Sequence, residues 1–412
     1  MASSTRNIPS RKLHALLASL LLCIAITGML SSCKPGATAV AGTPTPSVQA
    51  LETVYIAQGS QLSALQGSSG RVRWQKPLDK QQDMPLLAVF NNVLYVGKVN
   101  GSQGLIEALK TSDGSTLWQA KVALQNNTSG EILKVMGVVN GVAYAADFGR
   151  PLAGLGRGKG AGIHALRAGN GSLLWNHTVS DCCSGLAVTD TAVYVSGSYH
   201  IDALNTRDGS LLWRHQFEQP DVSLGFVVAN GMVYVDTATI NYNGPLKGAV
   251  DALHASNGML AWHSKRDIGP LALAADTNNV YVGAFWGHTL EALRTKDGSL
   301  LWQYIDKEGG DRGMVAGLLM DDTVYVTSIT VGYADNGSTI DAIRKSDGKH
   351  LWRYSIAQGN FYDVAGGDKM VYVSTDHGVV ALGATDGKQR WIFAENTLPR
   401  GLNQVPELAV GP

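Results

Sequence analysis

The chain has 412 residues with 33 basic and 33 acidic side chains, so no net field draws it to nucleic acid or to an anionic surface. Charged residues are 16 % where about a quarter is usual, and 48 glycines amount to about 12 % against a typical ~7 %. That balance excludes a disordered or collagen-like chain and fits a turn-rich β protein.

In chain order the first feature is an address. Arg6, Arg11 and Lys12 precede an apolar run over residues 13–30, a positive stretch followed by a membrane-directing segment. At 18 residues the run is borderline for crossing a bilayer, so a retained transmembrane anchor is the alternative reading. Leu30-Ser31-Ser32-Cys33 resembles the lipobox of bacterial lipoproteins. The resemblance implies a signal peptide over residues 1–32 and acylation of Cys33, whose lipid would hold the mature chain to a membrane by hydrocarbon burial. Residues 33–51, with Thr43-Pro44-Thr45-Pro46, have no apolar periodicity and read as the lipidated cysteine and a flexible tether. Such a tether reaches about 20–25 Å.

Past the tether one phrase recurs eight times. An alanine is followed ten residues later by a tryptophan: Ala64 to Trp74, Ala108 to Trp118, Ala165 to Trp175, Ala203 to Trp213, Ala252 to Trp262, Ala292 to Trp302, Ala342 to Trp352 and Ala381 to Trp391. A glycine stands four before each tryptophan, preceded by Asp or Asn in seven copies and by Ser69 in the other. Asx-Gly between apolar runs is a hairpin signal, so each phrase reads as strand, turn, strand. Upstream lies a β-branched segment centred on Tyr55, Tyr95, Tyr144, Tyr194, Tyr234, Tyr281, Tyr325 or Tyr372, and before it an apolar stretch such as Leu86-Leu87-Ala88-Val89.

Four strands per unit, repeated eight times, predict an all-β fold over residues 52–412: an eight-bladed β-propeller of four-stranded antiparallel blades. A stacked solenoid is the rival. The ordered part opens on a second strand near Tyr55 and closes on a first-strand-like Glu407-Leu408-Ala409-Val410, so the C-terminal strand is expected to pair in blade one and close a monomeric ring. Repeated tyrosines and tryptophans then read as packing groups between blades.

The phrase of Ala-Leu, Asp-Gly and Leu-Trp resembles the pyrroloquinoline quinone (PQQ) type propeller repeat, over residues 52–412. That family includes quinoprotein alcohol dehydrogenases, the lipoprotein of the outer-membrane barrel-assembly machine and other envelope proteins, and fold alone does not choose among them. The resemblance is greatest to the non-catalytic lipoprotein members, which implies an extracytoplasmic, membrane-anchored protein of the bacterial cell envelope that binds or scaffolds protein partners, without nucleic acid and without a cofactor. The alternative is a PQQ-dependent dehydrogenase of alcohols or sugars. It rests on Cys182-Cys183, because the quinoprotein enzymes carry an adjacent cysteine pair between blades beside the quinone. The two thiols are open between a vicinal disulfide and the free state, since neighbouring Cα atoms lie about 3.8 Å apart, below the usual disulfide span. Against this alternative, residues 240–244, where the resemblance would place a calcium-binding carboxylate, carry amides. No catalytic residue and no metal ligand is assigned. His200, His288 and His377 fall in different blades, too far apart to share a metal.

The spacing from strand tyrosine to motif alanine runs 9, 13, 21, 9, 18, 11, 17 and 9 along the units, so blades three, five and seven carry insertions, all in the connection from second to third strand. These share a rim with the connections between blades, opposite the Asx-Gly hairpins. Variable loops on a rigid ring are where propellers bind, which makes this rim the expected interaction face. Its candidates are Arg150, Arg157, Lys159, Asp181, Tyr242, Lys247, Trp286, Asp311, Arg312, Tyr333, Asp335 and Tyr362. The alternative is tolerated loop drift. Mixed charges favour a protein or a neutral ligand over a polyanion.

Overall fold

The computed structural model describes residues 52–58, 61–78, 85–125, 132–148, 160–179, 185–197, 199–218, 221–239, 247–284, 288–307, 312–330, 337–357, 359–367, 369–375, 377–394 and 407–411. The expected signal peptide, Cys33 and the tether lie outside them. Among the described residues the regular elements are 32 strands in eight four-stranded antiparallel sheets, and no helix is long and apolar enough to cross a membrane. Seven blades are consecutive runs of four strands; the eighth is assembled from both ends of the chain. In it Glu407–Gly411 pairs with Thr53–Gln58, with Val54 opposite Val410 and Ile56 opposite Leu408. The first strand of blade two, Leu86–Phe90, lies beside that of blade three, Ile132–Val139, and such neighbour contacts continue through the first strands of every blade, back to Glu407–Gly411. The sheets therefore close a ring, and the solenoid is excluded.

One row of three residues explains the phrase. In every blade the strand tyrosine sits directly opposite the motif alanine, and that alanine directly opposite the tryptophan: Tyr144, Ala165 and Trp175 in blade three, Tyr325, Ala342 and Trp352 in blade seven. Cross-strand partners share a face of the sheet. With only a methyl group between them, the two rings meet over the alanine at centroid distances of 5.9 Å in blade three and 5.7 Å in blade seven. A larger central residue would part them. The cores lie between adjacent blades, as where Tyr281 and Trp302 of blade six pack with Met314, Val324 and Val326 of blade seven.

The same tryptophan stitches one blade to the next. Trp302 donates its indole N–H to the Lys345 carbonyl at 2.8 Å and Trp391 to the Gly67 carbonyl at 2.7 Å, so the stitching runs across the closure as well. Each indole lies on the hairpin glycine of the following blade, where a Cβ at Gly258 would come within 2.5 Å of Trp213. That glycine also has φ +70°, so close approach and backbone conformation both demand it. In these hairpins the positive φ belongs to the glycine, and the Asx works through its carboxyl or amide oxygen, as when Asp297 accepts the Ser299 backbone N–H at 3.0 Å. The turns joining first to second strands differ. Asn140-Gly141 and Asn230-Gly231 have positive φ at both residues, the primed geometry that suits a two-residue hairpin.

Candidate functional site

Constant register fixes where variation must go. Because tyrosine and alanine are always paired, every residue added between them extends the blade toward one rim. In blade one the hairpin ends three rungs above that pair, at Gln58 and Gln61; in blade two it ends five rungs above, at Asn100 and Gln103, with Gly101 and Ser102 exposed at the tip. Two extra rungs lift blade two by about 7 Å. At this rim blade two thus stands above blade one.

Of the residues expected on this rim, Arg150, Arg157, Lys159, Asp181, Tyr242, Trp286, Asp311, Tyr333 and Asp335 lie outside the described residues, as do Cys182 and Cys183. Lys247 and Arg312 open strands Lys247–His254 and Arg312–Met320, opposite Thr239 and Thr330, so their backbones stand at the expected rim. Tyr362 is buried, with 9 % of its surface exposed. It lies in an irregularity of the first strand of blade eight, Phe361–Gly367, where the register shifts between Phe361 and Val364. Asp306 is also buried and is bound by Arg353 at 2.8 Å, so it serves the joint between blades six and seven. Among the described residues no three His, Cys, Asp or Glu side chains come together as a metal cluster. Cys182, Cys183 and residues 240–244, the positions to which the quinoprotein resemblance points, fall outside the described residues.

Two sets of buried charges escaped the sequence. One occupies the position before the motif alanine. Glu107, Asp202, Asp251, Glu291 and Asp341 point away from the tyrosine face and pair with basic residues: Glu107 with Lys76 at 2.6 Å and Lys98 at 3.1 Å, Asp202 with Arg214 at 2.6 Å, Asp251 with His263 at 2.6 Å, Glu291 with Arg266 at 3.3 Å, and Asp341 with Arg353 at 2.7 Å. Hydrogen bonds from Lys76 and Thr116 and the nearby Lys98 overcome desolvation and hold the Glu107 carboxyl at about 2. An acidic residue in five of eight equivalent positions was a visible signal.

The other set sits on first strands, which contact one another round the ring. Lys134 lies on the first strand of blade three, Glu407 on that of blade one and Asp363 on that of blade eight, each nearly inaccessible to solvent. The Lys134 ammonium reaches the Glu407 Oε2 at 3.5 Å. Their strands flank Leu86–Phe90, so the pair bridges across the start of that strand, and the Leu87 backbone N–H faces the Glu407 carboxylate. Burial, and the charge of Glu407, push the Asp363 carboxyl well above the usual carboxylate range; burial raises Glu407 as well, against the pull of Lys134. A similar buried pair lies in blade three one rung from Phe148 and Ala161, where Asp147 meets the His164 Nε2 at 3.0 Å and accepts the Gly162 N–H at 2.7 Å.

No curated protein matches the chain. Among solved structures, the computationally designed Ika8 protein aligns with a TM-score of 0.57 at 16 % identity, over 82 % of this chain and 91 % of that one. BamB from Moraxella catarrhalis aligns at 0.53 and 16 % identity, over 79 % and 91 %. The dihydro-heme d1 dehydrogenase NirN aligns at 0.59 and 10 % identity, over 90 % and 77 %. A designed protein, a BamB and a haem enzyme share this architecture, so at such identities the likeness carries the fold alone. A family model is more selective: the one described as outer membrane protein assembly factor BamB matches residues 159–328 and 287–411, more than half of the chain. With the repeated phrase and the closed ring, that match identifies the chain as a member of the PQQ-like β-propeller family represented by outer membrane protein assembly factor BamB.

Proposed function

We propose that the protein is a lipid-anchored, extracytoplasmic binding module of the bacterial cell envelope, which holds protein partners on its long-connection rim and catalyses nothing itself. The observation that carries this reading is the match of residues 159–411 to the family of an outer-membrane assembly factor. The one-sided placement of long connections supports it, because a rigid ring with variable loops on one rim can present a partner surface without disturbing its core. A formal charge of zero fits recognition by shape and local contacts better than steering toward a polyanion. The resemblance of Leu30-Ser31-Ser32-Cys33 to a lipobox supplies the anchor.

A photo-crosslinking residue at Ser102, on the long-connection rim, is compared with one at Asp208, on the hairpin rim, in intact envelopes. Discrete protein adducts are expected from Ser102 and not from Asp208; equal capture at both, or none, overturns the choice of rim. Radiolabelled palmitate is expected to enter the wild-type chain and to be lost in Cys33→Ala. If purified protein incubated with PQQ and Ca²⁺ co-elutes with a quinone absorbance and reduces a dye with alcohols, a dehydrogenase replaces the scaffold.

A further inference from the structure

The buried ionisable groups on the first strands at the closure are two acids and one base. Two carboxylates, Asp363 and Glu407, face one ammonium, Lys134, so the group is one positive charge short when both acids are ionised. The shortage has a location. Lys134 reaches Glu407 Oε2, the Leu87 backbone N–H also faces that carboxylate, and the Val364 backbone N–H donates to Asp363 Oδ1 at 2.8 Å, yet Glu407 Oε1 and Asp363 Oδ2 are left over. Both oxygens are buried, and neither has a hydrogen-bond partner. The two residues are 1 % and 2 % exposed. Such atoms are costly to bury alone, and costlier as anions.

We propose that Asp363 and Glu407, with Lys134 fixed beside them, form a site for one alkali-metal cation at the seam between blades eight and one. Hard carboxylate oxygens select a hard cation over a transition metal. The missing charge is a single one, and Lys134 opposes a second, so Na⁺ or K⁺ fits the balance where Ca²⁺ or Mg²⁺ would exceed it. The location gives the ion work to do: one carboxylate belongs to the closing strand Glu407–Gly411 and the other to the strand beside it, so a shared cation would tie the last element of the chain into the ring. This is not the position to which the quinoprotein resemblance points, residues 240–244 of blade five. The proposal does not depend on the protein's partners.

The test uses the full-length lipoprotein in detergent, dialysed into N-methyl-D-glucamine chloride, whose cation is too large for a buried site. Replacing it with NaCl or KCl at constant ionic strength is expected to raise Tm by ~2 °C or more, saturably, as a ligand specific to the native state does. Asp363→Asn and Glu407→Gln are expected to abolish the difference between salts. Lys134→Met is expected to widen it, by removing the competing charge. Should these variants fail to fold, ²³Na line broadening by the wild-type protein, saturable and reversed by K⁺, gives the same answer. The proposal is overturned if Tm is the same in all three salts, if only Ca²⁺ stabilises, if Asp363→Asn keeps the full salt difference, or if lowering the pH stabilises the ring with no dependence on the cation. The last result would make a proton the occupant.

Discussion

The hairpin rim and the first strands of the ring are built on different terms. On the hairpin side each seam is the same: an indole lies on a glycine of the next blade and donates to a carbonyl beside it, from Trp74 at Thr111 round to Trp391 at Gly67. On the first strands no such repetition holds, and blades three, eight and one contribute one buried ionisable group each, Lys134, Asp363 and Glu407. Repetition is how a ring accumulates stability, since each joint adds a similar increment. Departure from it marks places where a particular blade has a task of its own.

The hardest blow to that contrast is to remove residues 407–412. Blade one would lose its inner strand and expose the edge of Thr53–Gln58, so cooperative thermal unfolding by circular dichroism should give way to a broad transition with rapid proteolysis. A truncated chain that melts like the intact one would mean the seams alone hold the ring. Next in size is a pair of glycines with nearly the same backbone. Gly258→Ala and Gly231→Ala both place a side chain at positive φ, +70° and +74°, at a cost of roughly 1–2 kcal/mol. Only the first drives its Cβ into an indole, Trp213, while the second meets nothing within 4 Å, so urea unfolding should show Gly258→Ala worse by a further ~1–3 kcal/mol.

A smaller effect is tied to pH. The Glu107 carboxyl is held at about 2 in the folded protein against 4.5 ordinarily, so its stabilising contribution is complete above pH 4.5 and is lost as pH falls through about 2. Acid titration of stability should show this component in the wild type and not in Glu107→Gln. The least effect is expected outside the ring. Leu212 on the outer strand of blade four is 49 % exposed, and Leu212→Ser should change stability by no more than ~0.5 kcal/mol.

What the sequence made legible follows the same division. Tyr144, Ala165 and Trp175 announce a strand row despite a 21-residue gap, because the chemistry of that row is repeated seven more times. The end-to-end closure was readable from Glu407-Leu408-Ala409-Val410 for the same reason: it matches a strand that other units possess. Lys134 and Glu407 are 273 positions apart and meet only because the ring brings their blades together, which no local pattern records. Their signal was a charge inside an apolar inner strand, as with Lys134 between Leu133 and Val135. Tyr362 was expected on the rim because it lay outside the repeat, yet departure from a repeat does not tell inward from outward, and it is buried.

A sheet that needs both termini has a cost during synthesis. From the moment Thr53–Gln58 leaves the ribosome its edge stays open until Glu407–Gly411 arrives, after seven other blades have been made. Throughout that delay the open edge can accept a strand from a second nascent copy, giving a swapped dimer in place of a closed monomer. A circular permutant with its old ends joined and its new ends between Asp208 and Gly209 would complete blade one early and shift the wait to blade four, with a matching shift in where folding intermediates are trapped.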